Sequence, residues 1–258
     1  MCSMLSDSTR LAGYDELGFV QSIPILTEDE VRHYRAELER TFAALGGGIS
    51  RLDGPHLHFR WAWELSVHPR LLDVMEQLLG SPRILLKSTR VFYKHAGSAS
   101  FVGWHQDGIT ERLEDARIPA VWLGLTAATV ENGCLRVVPR SHRLGLIPHV
   151  KRPDPRNLTS GGITAEAEIG EPYDIEMQAG EMSLHHPLLL HASNPNHSDG
   201  PRIGFSATYS GSPMPGSRTA VRWVRGAEEL AEGPADLPLE EAVAAYRAAG
   251  HQVLRTAM

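Results

Sequence analysis

His105 and Asp107 put an imidazole and a carboxylate two positions apart in the segment Trp104-His105-Gln106-Asp107-Gly108. On an extended chain both side chains point to the same side, because successive residues alternate in facing. A second imidazole, His191, comes from far downstream, and Arg202 follows eleven residues later. Two neutral nitrogens and one carboxylate make a three-ligand face with open coordination positions, which suits non-haem Fe(II) working with a cosubstrate and dioxygen. Arg202 offers a planar cationic fork for a carboxylate near such a metal. The chemistry suggested is oxidation by iron with a keto-acid cosubstrate. Two other readings stay open: Zn²⁺ accepts the same ligands in a hydrolase or isomerase, and a small-molecule-binding barrel could retain the residues without turnover.

A His-x-Asp pair alone is weak, since thirteen histidines and thirty-one acidic residues produce such pairs by chance. The order of the surrounding words is more specific. Trp104–Gly108 is followed by Asn132-Gly133-Cys134-Leu135, by His142 after Pro139-Arg140-Ser141, by His191-Ala192-Ser193 and by Arg202. In this order the chain resembles the phytanoyl-CoA dioxygenase family, Fe(II)- and 2-oxoglutarate-dependent oxygenases on a double-stranded β-helix. The resemblance covers nearly the whole chain and is strongest in 101–108, 122–143 and 180–209. It implies that His105, Asp107 and His191 ligate Fe(II), that Arg202 pairs with the distal carboxylate of 2-oxoglutarate, and that O2 is the second cosubstrate. Gln106, Trp122 and Ser193 fall where the family lines its 2-oxoglutarate site. The related halogenases lack the carboxylate at the Asp107 position. The resemblance therefore implies oxygenation rather than halogenation: hydroxylation by default, with desaturation or ring closure using the same ligands.

The neighbouring groups read differently. His185 and His186 are supporting histidines rather than ligands, His142 satisfies backbone groups after a turn, and Cys134 is a small buried hydrophobe. The stretch His56–Trp63 concentrates aromatic, basic and imidazole groups and is the expected substrate-facing segment. There His58 and Arg60 are candidates for gripping an anionic group, while Trp61 and Trp63 either face substrate or pack helices on the barrel. Lys87, Arg90 and Tyr93, on the strand before the first ligand, are placed to reach the pocket.

The elements that must position these residues are short. Thr27 with Glu30 signals a helix start, and Val31, Tyr34, Leu38, Phe42 and Leu45 give it an apolar face up to Gly46-Gly47-Gly48. A second helix is expected over 69–79, before Gly80. β-prone runs follow at 84–87, 90–94, 120–126, 135–138, 173–175, 182–184, 188–191 and 203–210, separated by turn signals such as Asp199-Gly200-Pro201. His191 would end one strand and Arg202 begin the next, and an antiparallel hairpin would set the two side by side. The fold expected is mainly β with flanking helices, a double-stranded β-helix (jelly-roll, cupin-like) barrel. One domain spans 1–258: a helical part to about 83, a barrel over about 84–225, and a tail from about 226 with a surface helix over about 239–254.

Composition bounds the partners. At 258 residues, with 42% hydrophobic and 22% charged, the chain can bury one large core. A formal charge of −6 argues against nucleic acid, and no apolar run of membrane-spanning length occurs. Neither a leader pattern at the N-terminus nor a cysteine framework is evident from Cys2 and Cys134, which fits a reducing cytoplasm. The partner expected is a small polar metabolite or natural-product intermediate.

Overall fold

The computed structural model describes residues 7–110, 118–168, 170–213 and 221–255. Cys2 and the start read for a leader lie outside the described residues. Helix α1 (Asp7–Leu17) leads into β1 (Phe19–Pro24), α2 (Glu28–Ala44) and β2 (Ile49–Asp53). Helices α3 (Arg60–Ser66) and α4 (Pro69–Leu79) precede the long strand β3 (Ile84–Lys94) and the short β4 (Val102–His105). Then come β5 (Ala120–Gly124), β6 (Leu135–Val137), β7 (His149–Lys151), β8 (Ile163–Ala165) and β9 (Tyr173–Ile175). Strands β10 (Glu181–His185), β11 (His191–Ser193), β12 (Arg202–Ser210) and β13 (Arg222–Arg225) precede α5 (Leu239–Ala248) and β14 (Val253–Arg255).

The two helices predicted ahead of the barrel form for the reasons their sequences state. The Thr27 hydroxyl accepts from the Glu30 backbone at 3.3 Å, and the Glu30 carboxylate accepts from the Thr27 backbone at 2.8 Å. Two otherwise unpaired donors at the start of α2 are thereby satisfied. α4 opens on Pro69, whose missing N–H costs nothing there, and stops at Gly80 in the left-handed region. The buried faces of α2 and α4 join Leu86, Val91, Phe205 and Tyr209 in one apolar cluster on the outer side of the larger sheet. Each fully buried side chain of this kind contributes roughly 1.5–3 kcal/mol.

Eight strands form the major sheet in the order β1-β10-β5-β12-β3-β2-β14, with β13 also on β3. The minor sheet runs β4-β11-β6-β9, and β7 and β8 form a separate hairpin. This is the jelly roll as two facing sheets; among the described residues no ladder closes them into a barrel. Alternation along β12 makes one strand serve core and site together. Ile203, Phe205, Ala207 and Tyr209 turn toward the helices, whereas Arg202, Ser206 and Thr208 turn inward and line the cavity between the sheets.

Several expectations need correction. The N-terminal part is not wholly helical, because β1 and β2 sit inside it and extend the major sheet. The runs at 84–87 and 90–94 are one strand, with a register irregularity where Thr208 and Tyr209 face Ser88 and Leu86. Residues 188–190 are not strand, so His191 opens β11 instead of ending it. The tail helix stops at Ala248, and β14 then pairs with β2.

Candidate active site

His105 closes β4 and His191 opens β11, and the two are direct cross-strand partners with ring centroids 4.1 Å apart. Each ring is oriented by the same local device. Nδ1 of His105 donates to the Gly103 carbonyl at 2.9 Å, and Nδ1 of His191 donates to the Leu189 carbonyl at 2.9 Å. A carbonyl only accepts, so both hydrogens sit on Nδ1 and both Nε2 lone pairs face inward. A ligating imidazole requires this tautomer and this outer partner.

Asp107 does not reach the pair by strand alternation, because β4 has ended and Asp107 begins a 3₁₀ turn, Asp107–Thr110. The turn is braced by Gln106, which has no solvent exposure. Its amide donates to the carbonyls of Gly145 (2.9 Å) and Leu188 (2.6 Å) and accepts from the Ile147 backbone (2.8 Å). Its backbone N–H donates to His149 Nε2 at 3.0 Å. Asp107 Oδ1 then lies 3.5 Å from His105 Nε2 and 3.9 Å from His191 Nε2, and Oδ2 lies 3.3 Å from His185 Nε2. One donor atom from each of His105, Asp107 and His191 falls within 4.8 Å of the others. Adjacent donors on an ion with bonds of about 2.1 Å sit about 3 Å apart, so a small contraction closes the cluster on a metal.

Protonation states agree with that use. Burial, reinforced by the imidazoles of His105 and His185, pushes His191 well below its ordinary value and keeps it neutral. Burial alone would raise the Asp107 carboxyl, but the imidazoles of His191, His105 and His185 around it together hold it well below the usual carboxylate range. Neutral imidazole and ionised carboxylate are the ligating forms.

A second cluster lies beside the first, on the opposite sheet. Arg202 opens β12, is 2% exposed, and holds its guanidinium carbon 5.2 Å from the Trp122 ring centre. Its Nε has no hydrogen-bond partner, and no carboxylate among the described residues pairs with it. Burial lowers its pKa to about 10, which still leaves it charged at neutral pH. An uncompensated buried charge costs several kcal/mol, so the position calls for an anion from outside the chain. Trp122 can lie there because Gly204 has no side chain: a Cβ would come within 2.2 Å of the indole. Directly across the ladder from Arg202 stands Lys94, fully buried, whose Nζ donates to Ser193 Oγ at 2.7 Å.

The expected hairpin between His191 and Arg202 is absent. β11 belongs to the minor sheet and β12 to the major one, so the segment between them crosses over. The two residues face each other across a cavity of about 110 Å³ that Trp122, Ser193 and Arg90 also line.

His58, Arg60 and Trp61 do not line that cavity. His58 bonds His251 through facing Nε2 atoms at 2.9 Å and packs edge-on to Tyr246. Arg60 pairs with Glu64 one helical turn on, at the surface. Trp61 is core: it donates to Thr41 at 3.0 Å and meets Phe205. Trp63 is buried in the same cluster, and Tyr93 turns outward against Phe42. Arg90 does reach the cavity, 3.4 Å from Asp53, whose carboxylate Arg51 grips through two bonds of 2.7 Å. Sequence alone does not single out Lys94, beside Arg202 and Ser193, or Arg51, on the cavity wall. Lys94 shares the parity of Arg90 along β3, a signal present in the sequence, whereas Arg51 lies on a strand that carries no clear alternation.

A jelly roll whose facing sheets hold two histidines and a carboxylate beside a buried arginine that no described carboxylate pairs defines a class of metal-centred site. Residues 14–204 match the sequence model of the phytanoyl-CoA dioxygenase (PhyH) family, and the chain belongs to that family. It is 30% identical over 213 residues to the 1-deoxypentalenic acid 11-beta-hydroxylase of Streptomyces exfoliatus, covering 73% of this chain and 74% of that one. A probable phytanoyl-CoA dioxygenase of Caenorhabditis elegans is 28% identical over 161 residues, 57% of this chain and 50% of that one. The chain thus spans about half the length of that relative, and 45% and 57% of two others. Among solved structures it is similar to the non-heme monooxygenase ThoJ, with a TM-score of 0.74, 29% identity and 93% of each chain covered.

Proposed function

We propose that the protein is an Fe(II)- and 2-oxoglutarate-dependent dioxygenase that hydroxylates, desaturates or cyclises a small molecule. His105, Asp107 and His191 hold the iron, and Arg202 holds the distal carboxylate of 2-oxoglutarate, with Trp122 and Ser193 beside it. When bound, the iron supplies oxidation by O2 coupled to conversion of 2-oxoglutarate into succinate and CO2. The carrying observation is Arg202, a buried cation without a counter-ion among the described residues, facing a three-ligand cluster across one small cavity. A zinc hydrolase or isomerase would use the ligands but has no use for that arginine, and a mere binder needs neither set intact.

The chain's own contribution is orientation and exclusion. Backbone carbonyls fix both histidine tautomers, Gln106 braces the Asp107 turn, and His185 donates to the Asp107 oxygen turned away from the histidines. Gln106 spends its amide on these loop contacts, so its role in this reading is to brace and not to contact cosubstrate. His191 and Arg202 are buried between the sheets, which would limit bulk water beside a bound iron and favour productive use of the oxidant. In this reading substrate takes the part of the cavity lined by Arg90, Ser206 and Thr208. A relative named as a 1-deoxypentalenic acid 11-beta-hydroxylase supports a natural-product intermediate or similar metabolite.

The formal charge of −6 supports a reading without nucleic acid. No helix among the described residues is long and apolar enough to cross a membrane. A cytoplasmic, one-domain enzyme over 1–258 completes the proposal. His191→Ala should abolish iron retention and 2-oxoglutarate turnover together, read by metal analysis and succinate release. Unchanged iron content and activity in that variant would remove the assignment.

A further inference from the structure

We infer that Lys94, through Ser193, positions a hydroxyl donor for the carboxylate that Arg202 pairs with. The inference rests on the cosubstrate reading above and adds a residue to it. Lys94 is fully buried, and its Nζ lies within hydrogen-bond distance of Ser193 Oγ (2.7 Å), the Gly133 carbonyl (3.3 Å) and the Asn194 carbonyl. An ammonium carries three donors and no acceptor, so these partners use it completely. With Lys94 charged, Ser193 Oγ therefore accepts from it and keeps its own hydrogen. No acceptor among the described residues takes that hydrogen, and Ser193 lines the same cavity as Arg202.

Charge points the same way. Lys94 and Arg202 are cross-strand partners, both buried, and no carboxylate among the described residues pairs with either. Burial, with Arg202 adding to it, pushes the Lys94 ammonium well below its ordinary value. A carboxylate seated beside both cations offsets that cost, so a bound anion and a charged Lys94 favour each other. Tying loops together accounts for the bonds to the Gly133 and Asn194 carbonyls. It does not account for a cation turned onto a cavity hydroxyl next to an unpaired guanidinium.

The test is calorimetric titration of the anaerobic Fe(II)-loaded protein with 2-oxoglutarate and with pyruvate, a 2-oxo acid lacking the distal carboxylate. Lys94→Met should weaken 2-oxoglutarate binding by about tenfold or more and pyruvate binding by less than about twofold, since a charge-assisted contact acts only where the distal carboxylate sits. Ser193→Ala should show the same selectivity. The double variant should be no more than about twofold weaker than Lys94→Met alone, because both changes remove one path. Wild-type 2-oxoglutarate affinity in folded Lys94→Met, or equal loss of both ligands, overturns the inference; equal loss marks a merely structural lysine. Should Lys94→Met fail to fold, Ser193→Ala decides, and unchanged 2-oxoglutarate binding there overturns it too. Arg202→Met separates the two levels: if it also binds 2-oxoglutarate normally, the cosubstrate reading itself falls.

Discussion

Asp107 divides its carboxylate between the sheets, with Oδ1 toward His105 and His191 on the minor sheet and Oδ2 toward His185 on the major one. That geometry gives the residue two roles in the proposed chemistry, to ligate iron and to fill a coordination position a halide would otherwise take. Turnover in high chloride or bromide should therefore yield only oxygenated or dehydrogenated product, as read by mass spectrometry. A halogenated product from the unmodified protein would show that Asp107 is not a ligand. Gly204 makes a different prediction. A methyl group there would meet the Trp122 ring at 2.2 Å, so Gly204→Ala must displace the indole from beneath Arg202. The expected result is a raised KM for 2-oxoglutarate, on the order of tenfold if the arginine loses its alignment, with iron content unchanged. Loss of iron with an unaltered KM would mean that Trp122 supports the metal side instead.

Elements legible from sequence were those whose stabilising contacts are local. The α2 capping box and the α4 Pro–Gly bracket are each written within a few residues, and both appear where the sequence places them. The capping box also yields a measurable consequence. A backbone hydrogen bond from Thr27, the largest effect, lowers the Glu30 pKa from its ordinary 4.5 to about 2 against the opposing pull of burial, aided by the Thr27 hydroxyl and His68. A depressed folded-state pKa means stability that is present above about pH 4.5 and lost as pH falls toward 2. Thr27→Ala should cost about 1 kcal/mol at neutral pH. Glu30→Gln, which removes the titrating carboxylate, should shrink the acid-dependent loss between those pH values, seen by thermal melts across the range; equal acid sensitivity in that variant would count against the box. What stayed illegible is non-local. Whether β11 and β12 form a hairpin or cross between sheets depends on partners far away in sequence, as does the choice of Trp61 for core over cavity. His105, Asp107, His191 and Arg202 can be singled out by the ordered words around them, and the structure gathers them around one cavity; Lys94 cannot, because a buried lysine looks like any strand-end lysine until its partners are known.

At the scale of the whole molecule, the proposed ligands bridge two sheets that no ladder joins among the described residues. Iron would tie β4 to β11 and the turn at Asp107, whereas 2-oxoglutarate would connect that centre to Arg202 on the major sheet. Both would bind the folded chain and not the unfolded one, which turns occupancy into stability. A ligand at about 100 times its Kd adds about 2.7 kcal/mol. For a chain of this size each kcal/mol moves Tm by roughly 2–4 °C, so each ligand should raise Tm by roughly 5–10 °C. The increments should also depend on one another, since a keto acid that joins metal to arginine binds better when both are present. Anaerobic melts of metal-free, Fe(II)-loaded and Fe(II)/2-oxoglutarate-loaded protein measure this directly. Arg202→Ala should keep the iron increment and lose most of the 2-oxoglutarate increment. A zinc hydrolase using the same ligands would show a metal increment with no response to 2-oxoglutarate, and a full 2-oxoglutarate increment in Arg202→Ala would mean that the keto acid is held by the minor-sheet centre alone.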